Sequence, residues 1–132
     1  MTPLYVKLTP QRHTADCVVA CLSMLLGTSY EATLIAISKI RPDSGTEGLT
    51  WADAKKAGAS LGFKLRIKNK ADYANVVGIL DCHPADPTMR HHAVFLLRGV
   101  VIDPEESTIW DDWEVYLEAH DMVGGSVLVR VD

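Results

Sequence analysis

Hydrophobic positions come in two kinds of run, dense and helically spaced up to residue 61, short and strand-like after it. The stretch Cys17-Val-Val-Ala-Cys-Leu-Ser-Met-Leu-Leu26 is apolar around most of a helix circumference, which predicts a buried central helix. It has roughly half of the ~20 residues a membrane span needs. Thr14 or Asp16 can cap it, and Gly27 ends it. Thr28-Ser29-Tyr30-Glu31 reads as a capping box opening a second helix to about Ile40, stopped by Arg41-Pro42. Asp43 to Gly48 is turn-rich. Thr50 caps a third helix from Trp51 to about Leu61, with Gly62 at its C-terminal end.

The pattern then changes period. Lys64-Leu-Arg-Ile-Lys68 alternates strictly, as a half-exposed strand does. Val76 to Cys82 is an apolar run of strand length, and Pro84 to Pro87 a loop. His92 to Leu97 and Val100 to Ile102 flank Arg98-Gly99, a tight hairpin. Asp111 to His120 reads as a short helix, Gly124-Gly125 as a turn, and Ser126 to Val131 as a last strand. Leu4 to Leu8 alternates and predicts one more short strand before Pro10. Helices first and an antiparallel sheet second make an α+β domain.

Length and charge narrow the class. The 132 residues fit one domain, residues 1–132, with a core that needs no disulfide or metal staple. A net charge of -4 argues against a nucleic-acid partner gripped by a basic face. There is no signal sequence, membrane segment, repeat or low-complexity tract, so the expected location is cytoplasmic. Three cysteines, Cys17, Cys21 and Cys82, are an odd number without framework spacing, which fits a reducing compartment.

The chemistry centres on Cys17. In the first turn of a helix, unpaired backbone N–H groups and the dipole favour the thiolate, the nucleophilic form. A histidine brought close by the fold must serve it as base. His91 and His92, at the start of a strand, are the candidates; neighbours on a strand point to opposite faces, so only one can face Cys17. Asp103, just past the hairpin, is placed to orient the imidazole, with Asp81 as its rival. The Gln11 side-chain amide, six residues before Cys17, is a candidate oxyanion donor. Cys21 and Cys82 read as packing residues. A zinc site from Cys17, Cys21, His91 and His92 is the competing chemistry, but the spacing lacks CxxC and HxxxH, so no metal or cofactor is expected. Trp51, Trp110 and Trp113 either line a peptide groove or pack as core or lid.

The stretch Gln11-Arg-His-Thr-Ala-Asp16-Cys17-Val-Val-Ala-Cys21-Leu-Ser-Met24-Leu-Leu resembles the papain-like peptidases that process double-glycine leader peptides of bacteriocins. Gly48-Leu-Thr50 with the Ala-rich helix ending Leu61-Gly62-Phe63 is similar to that family's middle helix. Val76 to Leu80, His92-Ala-Val94-Phe-Leu and Val101-Ile102-Asp103-Pro104 are similar to its apolar strand, histidine strand and Asp-Pro element. The resemblance runs from about Gln11 to Trp113. It implies a papain-like fold and a cysteine peptidase acting on a peptide or protein through a thioester. Cys17 would be nucleophile, His92 base, Asp103 orienter and Gln11 oxyanion-hole donor. One departure is Val18, where the family usually has glycine; a branched side chain there narrows the cleft. Those peptidases are commonly fused to an export transporter, whereas this sequence reads as a stand-alone version. The alternatives are an acyl transferase or deamidase acting on a protein side chain, and a non-catalytic peptide-binding module with the same fold.

Overall fold

A computed structural model describes residues 17–41 and 50–131. The expected strand at Leu4–Leu8, Gln11, His13, the caps Thr14 and Asp16, and the loop at Asp43–Gly48 lie outside the described residues. The order is α1 (Cys17–Leu26), α2 (Tyr30–Ile40), α3 (Trp51–Ser60), β1 (Lys64–Lys68), β2 (Val77–Pro84), β3 (His92–Leu97), β4 (Val100–Asp103), β5 (Thr108–Trp110), α4 (Trp113–Ala119) and β6 (Met122–Val131). The six strands form one sheet in the order β1-β6-β2-β3-β4-β5, every neighbouring pair antiparallel. The α+β expectation is met, and among the described residues no helix is long and apolar enough to cross a membrane.

Local signals explain the helix ends. Gly27 takes a φ of 68°, and the Thr28 N–H reaches back to the Ser23 carbonyl (3.2 Å), a Schellman closure of α1. Gly62 closes α3 the same way, with Phe63 N–H on the Gly58 carbonyl (2.9 Å). Thr50 caps α3 as predicted, its Oγ1 accepting from Asp53 N–H. At α2 the cap is Ser29 rather than Thr28: Ser29 Oγ accepts from Ala32 N–H, while Thr28 Oγ1 pairs with Thr33 Oγ1 (2.8 Å). The expected capping box was therefore one residue out of phase.

Both sheet faces are covered. From α1, Val19, Leu22 and Leu25 pack with Ile79, Phe95 and Leu128 of the sheet, beneath α2 and α3. The opposite face carries Leu80, Val94, Leu96, Val101 and Val127 against Tyr116 and Leu117 of α4. Each such fully buried aliphatic side chain contributes about 1.5–3 kcal/mol. β3 thus alternates, Val94 and Leu96 toward α4, Ala93 and Phe95 toward α1.

Two expectations need correcting, and one strand was not foreseen. Gly124-Gly125 is not a turn; both residues lie inside β6, which starts at Met122. A side chain at Gly124 would meet the Tyr73 ring and one at Gly125 the His83 ring, so these glycines admit two neighbouring rings. Pro84 ends β2 instead of opening a loop. The short strand β5 had no alternating signal, because it is an edge strand with its central Ile109 turned to solvent.

Candidate active site

Cys17 is the first described residue of α1. Cys21, one turn on, is buried and donates its thiol to the Ala93 carbonyl (3.6 Å), pinning α1 to β3. Cys82 is also fully buried; burial, with the charges of Asp81, Asp103 and Cys17, pushes its thiol pKa up. Of the three cysteines, only Cys17 lines the large cavity of about 1060 Å³. Val18 lines it too, so the branched residue after the cysteine does stand in the cleft wall.

β3 and β4 supply the next two groups. The turn Arg98-Gly99 has φ of 48° and 88°, the paired positive values that let a two-residue hairpin follow the strand twist. The register pairs Leu96 with Val101. Stepping by two from each puts His92 and Asp103 on one face, the α4 face. There His92 Nε2 sits 3.0 Å from Asp103 Oδ1. Cys17 is near enough to act on the same ring electrostatically.

Asp103 is only 1% exposed and accepts four hydrogen bonds. Oδ1 takes the His92 ring, the Glu105 N–H (2.9 Å) and the Glu106 N–H (3.3 Å). Oδ2 takes the Tyr116 hydroxyl (2.6 Å). Burial alone would raise its pKa, but the bonds from His92 and Tyr116 and the His92 charge bring it down to about 2. Burial works against charge on His92 as well. The hydrogen bond to Asp103 and the negative charges of Asp103 and Cys17 overcome it and push the imidazole up to about 10 from 6.5. His92 is therefore a cation at neutral pH, with N–H groups on both ring nitrogens.

His91, with 59% of its side chain exposed, pairs with Asp81 (3.4 Å) and lies tilted against the His83 ring, and it makes no ion pair with Asp103. Asp81 pairs with His83 and His91, not with His92. Of the tryptophans only Trp51 lines the cavity, its indole N–H donating to Ser126 Oγ (2.8 Å). Trp113 packs edge-on against Tyr73, and Trp110 edge-on against Tyr116 and His120.

Sequence reasoning missed Tyr116, because α4 reads as an ordinary amphipathic helix and nothing in it marks the tyrosine as a donor to Asp103. It also missed Glu105, whose exposed carboxylate lies 3.7 Å from His92 Nδ1. Among the described residues, the clusters able to hold a metal draw on aspartate, glutamate and histidine, with no cysteine.

The geometry can be set beside known proteins. Two solved structures share the fold: the peptidase domain of Streptococcus ComA, a bi-functional ABC transporter involved in a quorum sensing pathway, and the peptidase domain of Streptococcus mutans ComA. The first is 20% identical with a TM-score of 0.64, over 96% of this chain and 98% of that one. The second is 18% identical with a TM-score of 0.55, over 96% and 99%. No curated protein gives a significant match. The profile of the Peptidase C39 family matches residues 5–77, more than half of the chain, including Gln11 and Cys17 but not His92 or Asp103. By that match the chain belongs to the Peptidase C39 family and is a cysteine peptidase.

Proposed function

We propose that the protein hydrolyses a peptide or isopeptide bond, with Cys17 as nucleophile, His92 as general base and acid, Asp103 as orienter and Gln11 as oxyanion-hole donor. The carrying observation is the placement of His92, held by a fully buried carboxylate at 3.0 Å and sharing the lining of one cleft with Cys17. Nε2 is committed to Asp103, so Nδ1 is the nitrogen that exchanges a proton with sulfur.

The Cys17 thiolate attacks the carbonyl carbon and the carbonyl π electrons move to oxygen, where the Gln11 amide N–H is offered. The tetrahedral species collapses, the C–N bond breaks, and His92 Nδ1–H protonates the departing amine. The neutral imidazole then takes a proton from water. The hydroxide attacks the thioester, the C–S bond breaks, and the carboxylic acid leaves and loses its proton to solvent while the thiolate–imidazolium pair is restored. Among the described residues the cleft wall carries Asp81, Asp86, Asp103, Glu105, Glu106 and Asp121 against Arg90 and His92, which favours a cationic stretch of substrate.

The test is alkylation by iodoacetamide at about pH 6, where an ordinary thiol is almost wholly protonated. Cys17 should react much faster than glutathione, and His92→Gln should remove the advantage while the circular dichroism is unchanged. A native Cys17 no faster than glutathione would sink the reading. On a peptide that the wild type cleaves, Cys17→Ala should fold and show no turnover.

A further inference from the structure

A second group of side chains, Asp81, His83 and His91, takes no part in the chemistry above; Asp81 and His91 line the cleft. Asp81 and His83 are two residues apart on β2, so they project from the same face. His91 comes from the residue before β3, the neighbouring strand. Asp81 uses both oxygens: Oδ2 lies 3.0 Å from His83 Nε2, and Oδ1 lies 3.4 Å from His91 Nδ1. One donor atom from each residue falls within 4.8 Å of the other two.

We propose that Asp81, His83 and His91 form a binding site for a divalent transition-metal ion of the zinc type at the edge of the cleft.

The spacing fits such an ion. Zinc–ligand bonds of about 2.0–2.1 Å in a tetrahedron put neighbouring ligand atoms about 3.3 Å apart. Each histidine lies within 3.0–3.4 Å of one Asp81 oxygen, and donor atoms within 4.8 Å of one another need only a small side-chain adjustment to reach that spacing. Two imidazoles and one carboxylate are also the donor set that zinc, cobalt and nickel accept, whereas calcium and magnesium want oxygen alone. Three protein ligands leave a fourth position for water or for a group held in the cleft.

The backbone is shaped around the cluster. Leu80 pairs with Val127 but Cys82 with Gly124, so β6 carries one extra residue opposite Asp81. Gly125 lies in that irregular stretch, and a side chain there would occupy the place of the His83 ring. The two rings approach to 4.1 Å between centroids. Side-chain exposures of 44% for His83 and 59% for His91 leave both open to an ion from solvent. Of the zinc site weighed from the sequence, this donor set keeps His91 alone and takes no cysteine.

The experiment uses the full chain without a histidine tag, stripped with chelator and titrated with Zn2+ by calorimetry, then with Co2+ by absorption. The expected result is one equivalent of Zn2+. The Co2+ spectrum should show visible d–d bands without thiolate-to-cobalt charge transfer. His83→Gln and His91→Gln should each weaken binding by at least about tenfold, since even loss of an outer partner of a metal ligand costs 10–100-fold. Gly125→Ala, which removes no ligand atom but displaces the His83 ring, should weaken it too. Three outcomes overturn the proposal: no saturable binding, binding unchanged in both histidine variants, or strong thiolate charge transfer placing the ion on Cys17. The Co2+ spectrum is read on the wild type, so the answer does not depend on the variants folding.

Discussion

Replacing Asp103 by asparagine keeps the shape of the side chain and removes its charge. Every group around Asp103 is a donor: the His92 ring, two backbone N–H groups and the Tyr116 hydroxyl. An amide offers one oxygen and one NH2, so some of these donors must face another donor. A buried donor left without an acceptor costs about 1–3 kcal/mol. Whichever way the amide turns, that cost applies, and urea unfolding should register it.

The same change acts on His92, where Asp103 is the first of the contributions that lift the imidazole from 6.5 to about 10. One pH unit corresponds to about 1.4 kcal/mol. Asp103→Asn should therefore lower the His92 titration, followed by NMR of the ring, by at least about one pH unit. The apparent value belongs to the coupled pair with Cys17, so the comparison is between two proteins that both retain the cysteine. A His92 that titrates where it does in the wild type would refute the electrostatic account. Unchanged unfolding would refute the donor argument.

Further outcomes follow from the same geometry. His92 has a folded pKa above its unfolded one, so its contribution to stability is complete below about pH 6.5 and fades as pH rises toward 10; Asp103 is the reverse, complete above about pH 4 and lost as pH falls toward 2. Urea midpoints against pH should show both declines, and His92→Gln should flatten the alkaline one. Tyr116→Phe removes one charge-assisted bond from Asp103 and should cost about 1.5–3 kcal/mol in urea unfolding; no loss would mean the 2.6 Å contact is idle. Gly78→Ala sets a methyl group against the Leu128 carbonyl of β6, so overpacking should cost about 1–3 kcal/mol or abolish folding, and a variant as stable as wild type would contradict the β2–β6 packing. Gln11→Ala should lower kcat about 10²–10³-fold on a cleaved peptide with KM nearly unchanged, and an unaltered kcat would remove Gln11 from the reaction.

Much of this was legible in the sequence, for reasons that differ by element. α1 announced itself by its unbroken apolar run and Gly27, and β1 by strict alternation. The β3–β4 hairpin was readable because Arg98-Gly99 sits between two apolar strands. Cys17 stood out as a candidate because the apolar run of α1 begins with it. The choice between His91 and His92 was not, since adjacent strand residues share sequence context and only the sheet register assigns a face. Tyr116 and the Asp81–His83–His91 cluster were beyond reach for a related reason. Their partners lie on other elements, and nothing local records a meeting that tertiary packing creates. Gly124-Gly125 misled because a glycine pair signals a turn in isolation, whereas here neighbouring rings take up the missing side-chain space.

The two-residue turn joining β3 and β4 has a consequence for how this chain can vary. Surface connections usually accept insertions and deletions freely. This one fixes the phase between the strand that ends with Asp103 and the strand that begins with His92. A one-residue change in its length that slips the register would swing one of the two to the opposite side of the sheet. An exposed turn well away from Cys17 is thus a point where the length of the chain is as constrained as the identity of a side chain in the cleft.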